Sequence, residues 1–341
     1  MGLFDFFTTD LAIDLGTANT LIICNDKIVV DEPSIIAMDK LNGRVLAIGR
    51  EAMQMHEKTH ENIKTIRPLK DGVIADFTAA ENMIRGMIKM TEKGRKFLPP
   101  QHRMVICIPS GITEVEKRAV KESADRAGAK EVYLIYEPIA AALGIGIDIE
   151  RPVGSMVVDI GGGTTEIAVI ALSGIVCDQS IRVAGDVFNR DVLDYMRRQH
   201  NLLIGERTAE RVKIEVGSAL TELENPPEDY EIRGRDLMTG IPKVIKVSYS
   251  EIAYALDKSV SKIEEAVLKA LEISPPELSA DIYDNGIHLT GGGALLRGLD
   301  KRLSNKTKLK IHIAEDPLRA VVRGTGLALK NIPAYRTVLM N

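Results

Sequence analysis

Short apolar runs rich in β-branched residues alternate along this chain with longer stretches in which apolar positions recur every three or four residues. Leu11-Ala12-Ile13, Met104-Val105-Ile106-Cys107-Ile108, Val132-Tyr133-Leu134-Ile135, Met156-Val157-Val158 and Ile287-His288-Leu289 are of the first kind and read as buried strands. Met83, Ile84, Met87 and Ile88 form an apolar helical stripe, as do Val120, Ala124 and Ala127, which should stop near Gly128. Phe188, Val192, Tyr195 and Met196 mark a further helix. Ile252, Leu256, Val260, Ile263, Val267 and Leu271 mark a long one that ends before Pro275-Pro276. Thr78 with Glu81, and Thr113 with Glu116, have capping-box spacing ahead of the first two helices. Strand, helix, strand in succession is an α/β pattern.

One strand phrase is written twice. Leu11 to Ile23 and Met156 to Val169 are both apolar runs that end in Asp, turn through Gly and Thr, and resume; Asp14 aligns with Asp159, Gly16 with Gly161 and Thr20 with Thr165. Each reads as a β-hairpin with a small-residue tip. Such a tip can aim backbone N–H groups and Thr hydroxyls at an anion, because glycine lacks the Cβ that blocks close approach. A carboxylate beside phosphates repels them, so the Asp suits Mg²⁺ held through water. A lone D-x-G-T is ordinary turn chemistry; two copies in register imply two related lobes. A third glycine cluster, Gly291-Gly292-Gly293, follows an apolar run and is expected to open a helix whose N-terminal amides face a ring, sugar or phosphate. None of the three is a G-x-x-x-x-G-K-[ST] or G-x-G-x-x-G loop, which disfavours the common nucleotide folds.

At 341 residues the chain is long enough for about two domains. Pro33 to Ile66 and Leu202 to Ser248 are charged, turn-rich stretches that read as an insertion in each lobe, leaving a cleft between the lobes. Net charge is −4, so no basic field for nucleic acid exists. Cys24, Cys107 and Cys177 stand singly in or beside apolar runs, as reduced core thiols do. His56 and His60 share a helical face without a third ligand nearby and read as a solvated pair. No run approaches the ~20 apolar residues of a membrane span, and the start lacks the basic flank of a signal peptide, so a cytoplasmic protein is expected.

Asp14 to Thr20, Glu137 to Gly144, Asp159 to Glu166 and Gly291 to Gly298 resemble the five-part ATPase signature shared by actin, heat-shock chaperones and sugar kinases. The wording DLGTANT, EPIAAALG, DIGGGTTE, SIRVAGD and LTGGGALLRG is similar to the bacterial actins of the MreB family, from about residue 10 to about 330. That resemblance implies an actin-like ATPase fold: two duplicated α/β lobes, each with a small inserted subdomain, and a nucleotide cleft between them. The divisions are then 1–32, 67–142 and 311–341 for the first lobe core, 33–66 for its insertion, 143–182 and 246–310 for the second lobe core, and 183–245 for its insertion.

The resemblance also implies roles. ATP and Mg²⁺ are the expected cofactors. Asp14 and Asp159 hold the metal, through water, and count with Glu137 and Thr164 as catalytic; Glu137 polarises the attacking water and Thr164 helps hold it. Gly16, Thr17, Ala18, Asn19, Thr20, Gly161, Gly162, Gly163 and Thr164 line the phosphates. Glu210, Lys213 and Gly217, with Gly292, Gly293, Ala294 and Leu295, face ribose and adenine. From the residues alone, Glu137 before Pro138 is equally a helix-start acid, and Glu210 with Lys213 is a solvated ion pair. Phosphoryl transfer by positioning and charge neutralisation, with a single carboxylate as base, predicts slow turnover suited to a timer. The expected function is an ATP-dependent filament that directs cell-wall synthesis and maintains rod shape. Its partners are copies of itself in paired protofilaments and wall-elongation proteins such as MreC, MreD and RodZ. A segregation or division filament, a chaperone and a sugar kinase are the alternatives within the superfamily.

Three of the six phenylalanines, Phe4, Phe6 and Phe7, fall in the first seven residues beside Leu3, and Phe97-Leu98 sits in a loop flanked by Arg95 and Lys96. Spacing alone fits burial in the core as well as insertion at an anionic headgroup boundary. The resemblance favours the membrane, at the inner face of the cytoplasmic membrane. Phe at position 6 argues against myristoylation, and the basic stretch Lys301 to Lys310 reads as a solvated face.

Overall fold

The computed structural model describes residues 8–91 and 101–341. The chain forms two compact units, residues 1–152 with 170–175 and 318–341, and residues 153–169 with 176–317. Leu3, Phe4, Phe6, Phe7, Phe97 and Leu98, expected at the membrane, lie outside the described residues.

The first unit runs β1 (Thr8–Leu15), β2 (Asn19–Cys24), β3 (Lys27–Pro33), β4 (Ile36–Asp39), β5 (Val45–Ile48), α1 (Arg50–Met55), β6 (Ile63–Ile66), β7 (Leu69–Lys70), β8 (Val73–Ile74), α2 (Phe77–Thr91), β9 (Gln101–Ile108), α3 (Glu114–Arg126), β10 (Ala129–Tyr136) and α4 (Glu137–Gly144). The second runs β11 (Ser155–Ile160), β12 (Thr165–Ala171), β13 (Gly174–Ile181), α5 (Gly185–His200), β14 (Leu202–Leu203), α6 (Glu206–Val216), β15 (Tyr230–Asp236), β16 (Pro242–Val247), α7 (Tyr249–Ile273), α8 (Pro276–Asn285), β17 (Ile287–Thr290), a 3₁₀ turn (Gly292–Leu295), α9 (Leu299–Thr307) and β18 (Ile311–Ile313). The chain then returns to the first unit as α10 (Ala320–Lys330).

The duplicated phrase expands into duplicated sheets. The first has the order β3-β2-β1-β9-β10 and the second β13-β12-β11-β17-β18. β1 pairs antiparallel with β2 and parallel with β9, and β11 is likewise parallel to β17, so each central strand carries an Asp at its C-terminal end. Strands covered on both faces must be apolar throughout. Leu11, Ile13, Met104 and Ile106 in one unit, and Met156, Val158, Ile167 and Val169 in the other, are accordingly at most 1% exposed. The predicted stripe of α2 is buried as expected: Met83, Ile84, Met87 and Ile88 are 3% exposed or less, each side chain contributing about 1.5–3 kcal/mol. The region 33–66 folds as the sheet β5-β4-β6 with α1, and β14, β15 and β16 form a second small sheet.

Two helix starts differ from expectation. At α2 the cap is Asp76, whose Oδ1 accepts from the Ala79 amide at 3.0 Å. Thr78 therefore lies inside the helix, and Glu81 bonds Arg85 at 2.6 Å instead of closing a box. Asp caps as well as Thr and comes first in the chain, so it fixes the start. The long helix α7 begins earlier than its stripe, at Tyr249, because Ser248 and Glu251 form a capping box ahead of it. The Thr113–Glu116 box of α3 is present as expected.

Helices α4 and α10 cross with backbone against backbone. A Cβ on Gly324 would overlap the Ala140 carbonyl, and one on Gly144 would overlap the carbonyl of Ala320. No flexible side chain is available to yield, so the approach requires glycine at both positions. Gly324→Ala is expected to destabilise the protein by about 2 kcal/mol or more, read from the urea midpoint. Gly174→Ala, where the nearest atom to the added methyl is 3.7 Å away, should stay within about 1 kcal/mol of the parent.

Candidate functional site

In the first unit the bend between β1 and β2 is closed by the pairing of Leu15 with Thr20. Its interior is tight: a Cβ on Gly16 would stand 2.7 Å from the Asn19 carbonyl oxygen. Thr20 and Ser34 share a hydrogen bond of 2.8 Å, Ser34 donates to the Gly16 carbonyl at 2.6 Å, and Thr17 Oγ1 accepts from the Gly72 amide at 2.9 Å. The hydroxyls thus brace the turn from behind. What Gly16, Ala18 and Asn19 offer to an anion is main chain.

Asp14 is half-buried, and Cys107 on the parallel neighbour β9 donates its S–H to Asp14 Oδ1 at 3.2 Å. Burial pushes the Asp14 carboxyl up to about 6, against the lowering effect of that thiol. Burial, then the charges of Asp14 and Glu137, push the Cys107 thiol well above its usual range. Two acids predicted from separate motifs therefore bear on one thiol. Glu137 opens α4 as expected, with Pro138 in the first turn and Tyr136 as the residue before the helix.

The second unit repeats the arrangement with different atoms. β11 pairs with β17 so that Asp159 lies opposite Thr290, whose Oγ1 donates to Asp159 Oδ1 at 2.7 Å. Ile13 pairs with Ile106 in the first unit, which puts Cys107 one residue on, at the position that Thr290 holds here. The bend Gly161-Gly162-Gly163-Thr164 closes by Gly161 N–H donating to the Thr164 carbonyl at 2.9 Å, and Thr165 Oγ1 donates to the Val183 carbonyl at 2.7 Å. The start of α5 is laid on this bend: the Gly185 amide bonds the Gly161 carbonyl at 3.1 Å and the Asp186 amide bonds the Gly162 carbonyl at 2.8 Å.

Residues from α6 reach the same place. Lys213 Nζ donates to the Gly185 carbonyl at 3.3 Å and stands 3.7 Å from Glu210, whose Oε2 accepts from Asn189 Nδ2 at 3.0 Å. Glu210 and Lys213 thus form the expected ion pair, and both are tied as well to the start of α5. Gly217 ends α6, its amide bonding the Lys213 carbonyl at 2.9 Å. The third glycine cluster lies against the second bend. Gly291, at φ 77°, and Gly293 both press on Ile160, where a Cβ at either would overlap that residue. The cluster opens as a 3₁₀ turn, with α9 starting only at Leu299, so the expected α-helical N-terminus is absent here. Gly298, at φ 73° the second positive-φ glycine after Gly291, intervenes, and α9 starts only beyond it. Leu295, 55% exposed, leaves a large apolar side chain open beside the turn.

Sequence reasoning missed Cys107, Thr290, Ser34 and Asn189 as supports of these residues. Only the strand register could have found the first two. His56 and His60 are occupied otherwise, His56 Nδ1 with Thr65 Oγ1 at 2.9 Å and His60 Nδ1 with the Asn62 amide at 3.3 Å. Among the described residues no helix is long and apolar enough to cross a membrane.

Two sheets of identical strand order, each ending its central strand in an Asp–Gly bend, define the actin-like ATPase fold. The MamK double helical filament has that fold, with a TM-score of 0.78 at 24% identity over 94% of this chain and 98% of MamK. The family model for MreB/Mbl protein matches residues 8–337, and the chain belongs to that family. It is 50% identical to the cell shape-determining protein Mbl of Bacillus subtilis over 96% of this chain and 97% of Mbl. It is 49% identical to the cell shape-determining protein MreB of Escherichia coli K12 over 96% of this chain and 95% of MreB. Crystal structures of MreB5 of Spiroplasma citri bound to AMPPNP and to ADP both superpose with a TM-score of 0.90 at 40% identity. Each bend, taken by itself, offers groups that suit phosphates and their cation: a carboxylate for a hard cation and main-chain amides at a turn too tight for side chains, joined in the second unit by the amine of Lys213 and the exposed side chain of Leu295.

The raised Asp14 carboxyl has a consequence for stability. With the folded value near 6 and the ordinary value 3.8, the folded protein binds the proton more tightly than the unfolded chain does. Asp14's contribution is therefore fully present below about 3.8 and lost as pH rises through 6. Without ligand, Asp14→Asn should be more stable than the parent by up to about 3 kcal/mol at pH 7.5, the gain shrinking at pH 4.5, as urea denaturation at both pH values will show.

Proposed function

We propose that this chain is an ATP-dependent, filament-forming cytoskeletal protein of the cytoplasm that works at the inner face of the membrane, where it directs cell-wall synthesis and maintains rod shape. The observation that carries the reading is the recurrence, at the end of the central strand of both sheets, of a carboxylate and a glycine turn braced from the parallel neighbour. Each acidic bend suits phosphates and their cation, the glycine cluster of the second unit suits a ring or sugar, and the four-part division given above accompanies this reading. When bound, Mg²⁺ supplies neutralisation of the phosphate charge. Asp14 and Asp159 are the residues to hold it.

The bends Gly16 to Thr20 and Gly161 to Thr164 orient the phosphates, the second through amides other than that of Gly161, which the Thr164 carbonyl holds, and Glu210, Lys213, Gly217 and the turn Gly292 to Leu295 orient ribose and base. Glu137, fixed at the start of α4, accepts a hydrogen bond from the attacking water, with Thr164 as its second support. Positioning rather than covalent help governs phosphoryl transfer. A carboxylate is a weak base toward water at neutral pH, so turnover is slow and acts as a clock on polymer age. Self-assembly is supported by the filament that MamK forms on the same fold, and family membership supports wall-elongation proteins of the MreC, MreD and RodZ kind as the partners of this reading.

Sedimentation against ATP concentration, with phosphate release recorded in parallel, tests the reading. Polymer that forms with ATP and releases phosphate slowly supports it; phosphate passed to a sugar, or no polymer at all, overturns it. Glu137→Ala is expected to keep ATP binding and slow phosphate release by roughly 10²-fold. An unchanged rate removes Glu137 from the reaction. Replacing Phe97 and Leu98 with Ser should weaken co-sedimentation with anionic liposomes, since two inserted side chains supply about 3–6 kcal/mol; binding that persists would exclude this loop as the anchor.

A further inference from the structure

Arg297 joins two parts of the second unit that lie far apart in the chain. Its Nη1 donates to the Ile214 carbonyl at 2.9 Å and to the Gly217 carbonyl at 3.5 Å, both at the end of α6. Its own carbonyl accepts from the Ala219 amide at 2.8 Å and from Ser218 Oγ at 3.3 Å, and Ser218 and Arg297 pair as a parallel bridge. Side chain and main chain of one residue thus hold the exit of α6 from both sides. The adjoining turn is fitted as closely: Gly298 sits at φ 73°, and a Cβ there would be 2.9 Å from Leu220 Cδ1.

The last carbonyls of a helix lack partners within it, and a cation there meets the negative end of the dipole. A cap drawn from the helix's own flank would satisfy those carbonyls equally well. Arg297 instead comes from the strand-to-helix turn that begins at Gly291 and contains Leu295. The side chain therefore adds, to the main-chain bridge at Ser218, a second tie between the helix carrying Glu210 and Lys213 and the turn carrying Gly292 to Leu295.

We propose that Arg297 is a positioning residue for nucleotide recognition, setting the ribose-side helix against the base-side turn without touching the ligand. This rests on the nucleotide site proposed above. Titration calorimetry with Mg-ATP, Mg-ADP and inorganic tripolyphosphate tests it. Arg297→Ala should raise the Kd for ATP and ADP alike by about tenfold, as for the loss of one charge-assisted hydrogen bond, while the Kd for tripolyphosphate stays within about twofold. Arg297→Lys, which keeps a cation at the helix end, should recover most of the loss. In a Glu210→Ala, Lys213→Ala background, Arg297→Ala should add nothing, because its effect passes through those residues. Equal weakening of ATP and tripolyphosphate, an unchanged Kd for ATP, or full additivity in that background overturns the proposal and leaves the nucleotide site standing. A Glu210→Ala, Lys213→Ala double variant that binds ATP as the parent does overturns the ribose-side assignment, and the role of Arg297 with it.

Discussion

One contact sets the geometry of the candidate site in each sheet: a carboxylate at the end of the central strand, held by a hydrogen-bond donor directly across on the parallel neighbour. Asp14 takes it from Cys107 and Asp159 from Thr290. A charged side chain at the edge of a buried strand costs solvation, and a donor across the ladder offsets part of that while fixing which way the carboxylate points. The two donors differ in strength. A hydroxyl at 2.7 Å is an ordinary hydrogen bond, whereas a thiol at 3.2 Å is a weak one. Asp14 is left with burial dominating, which is why its carboxyl is drawn up to about 6. The duplication preserved the frame and changed the chemistry inside it.

Backbone proximity is the second constraint, and it acts where side chains would intrude. Gly291 and Gly293 let the third glycine turn lie flat on Ile160, one residue after Asp159, so the turn and the bend share a wall. Gly144 and Gly324 let α4 and α10 touch main chain to main chain, which sets α4 and the Glu137 at its head against the first sheet. Close-packed contacts of this kind tolerate no added methyl, and they transmit position rigidly over a full helix.

Much of this was legible in the sequence. The repeated Asp–Gly–Thr phrase gave two hairpins because its apolar flanks alternate with turn residues, and the strand-then-Pro pattern placed Glu137 at a helix start because proline fits the first turn. Pattern alone does not rank Asp76 against Thr78 as the cap of α2, since both residues cap well. The third cluster looked like a helix start because glycine after a strand often is one; the left-handed Gly298 that delays α9 to Leu299 shows only in the backbone. Its apolar surroundings in sequence make Cys107 a core thiol, and it is buried. Its bond to Asp14 depends on strand register, which sequence separation of 93 residues conceals. The same holds for Arg297 and Ile214, 83 residues apart.

On the function proposed, the raised Asp14 carboxyl couples ligand binding to stability. A carboxylate kept half-buried beside a weak donor is unfavourable in the empty protein above pH 6, so the first unit is less stable at neutral pH than its packing alone would make it. Any cation brought near Asp14 favours the ionised form and removes that disadvantage. Part of the binding free energy then reappears as stability of the fold, because a ligand that prefers the native state shifts unfolding by mass action. Replacing Cys107 with a stronger donor would weaken this coupling by relieving the carboxylate in advance. The weak thiol contact thus leaves the first bend more dependent on its ligand than a hydroxyl at that position would.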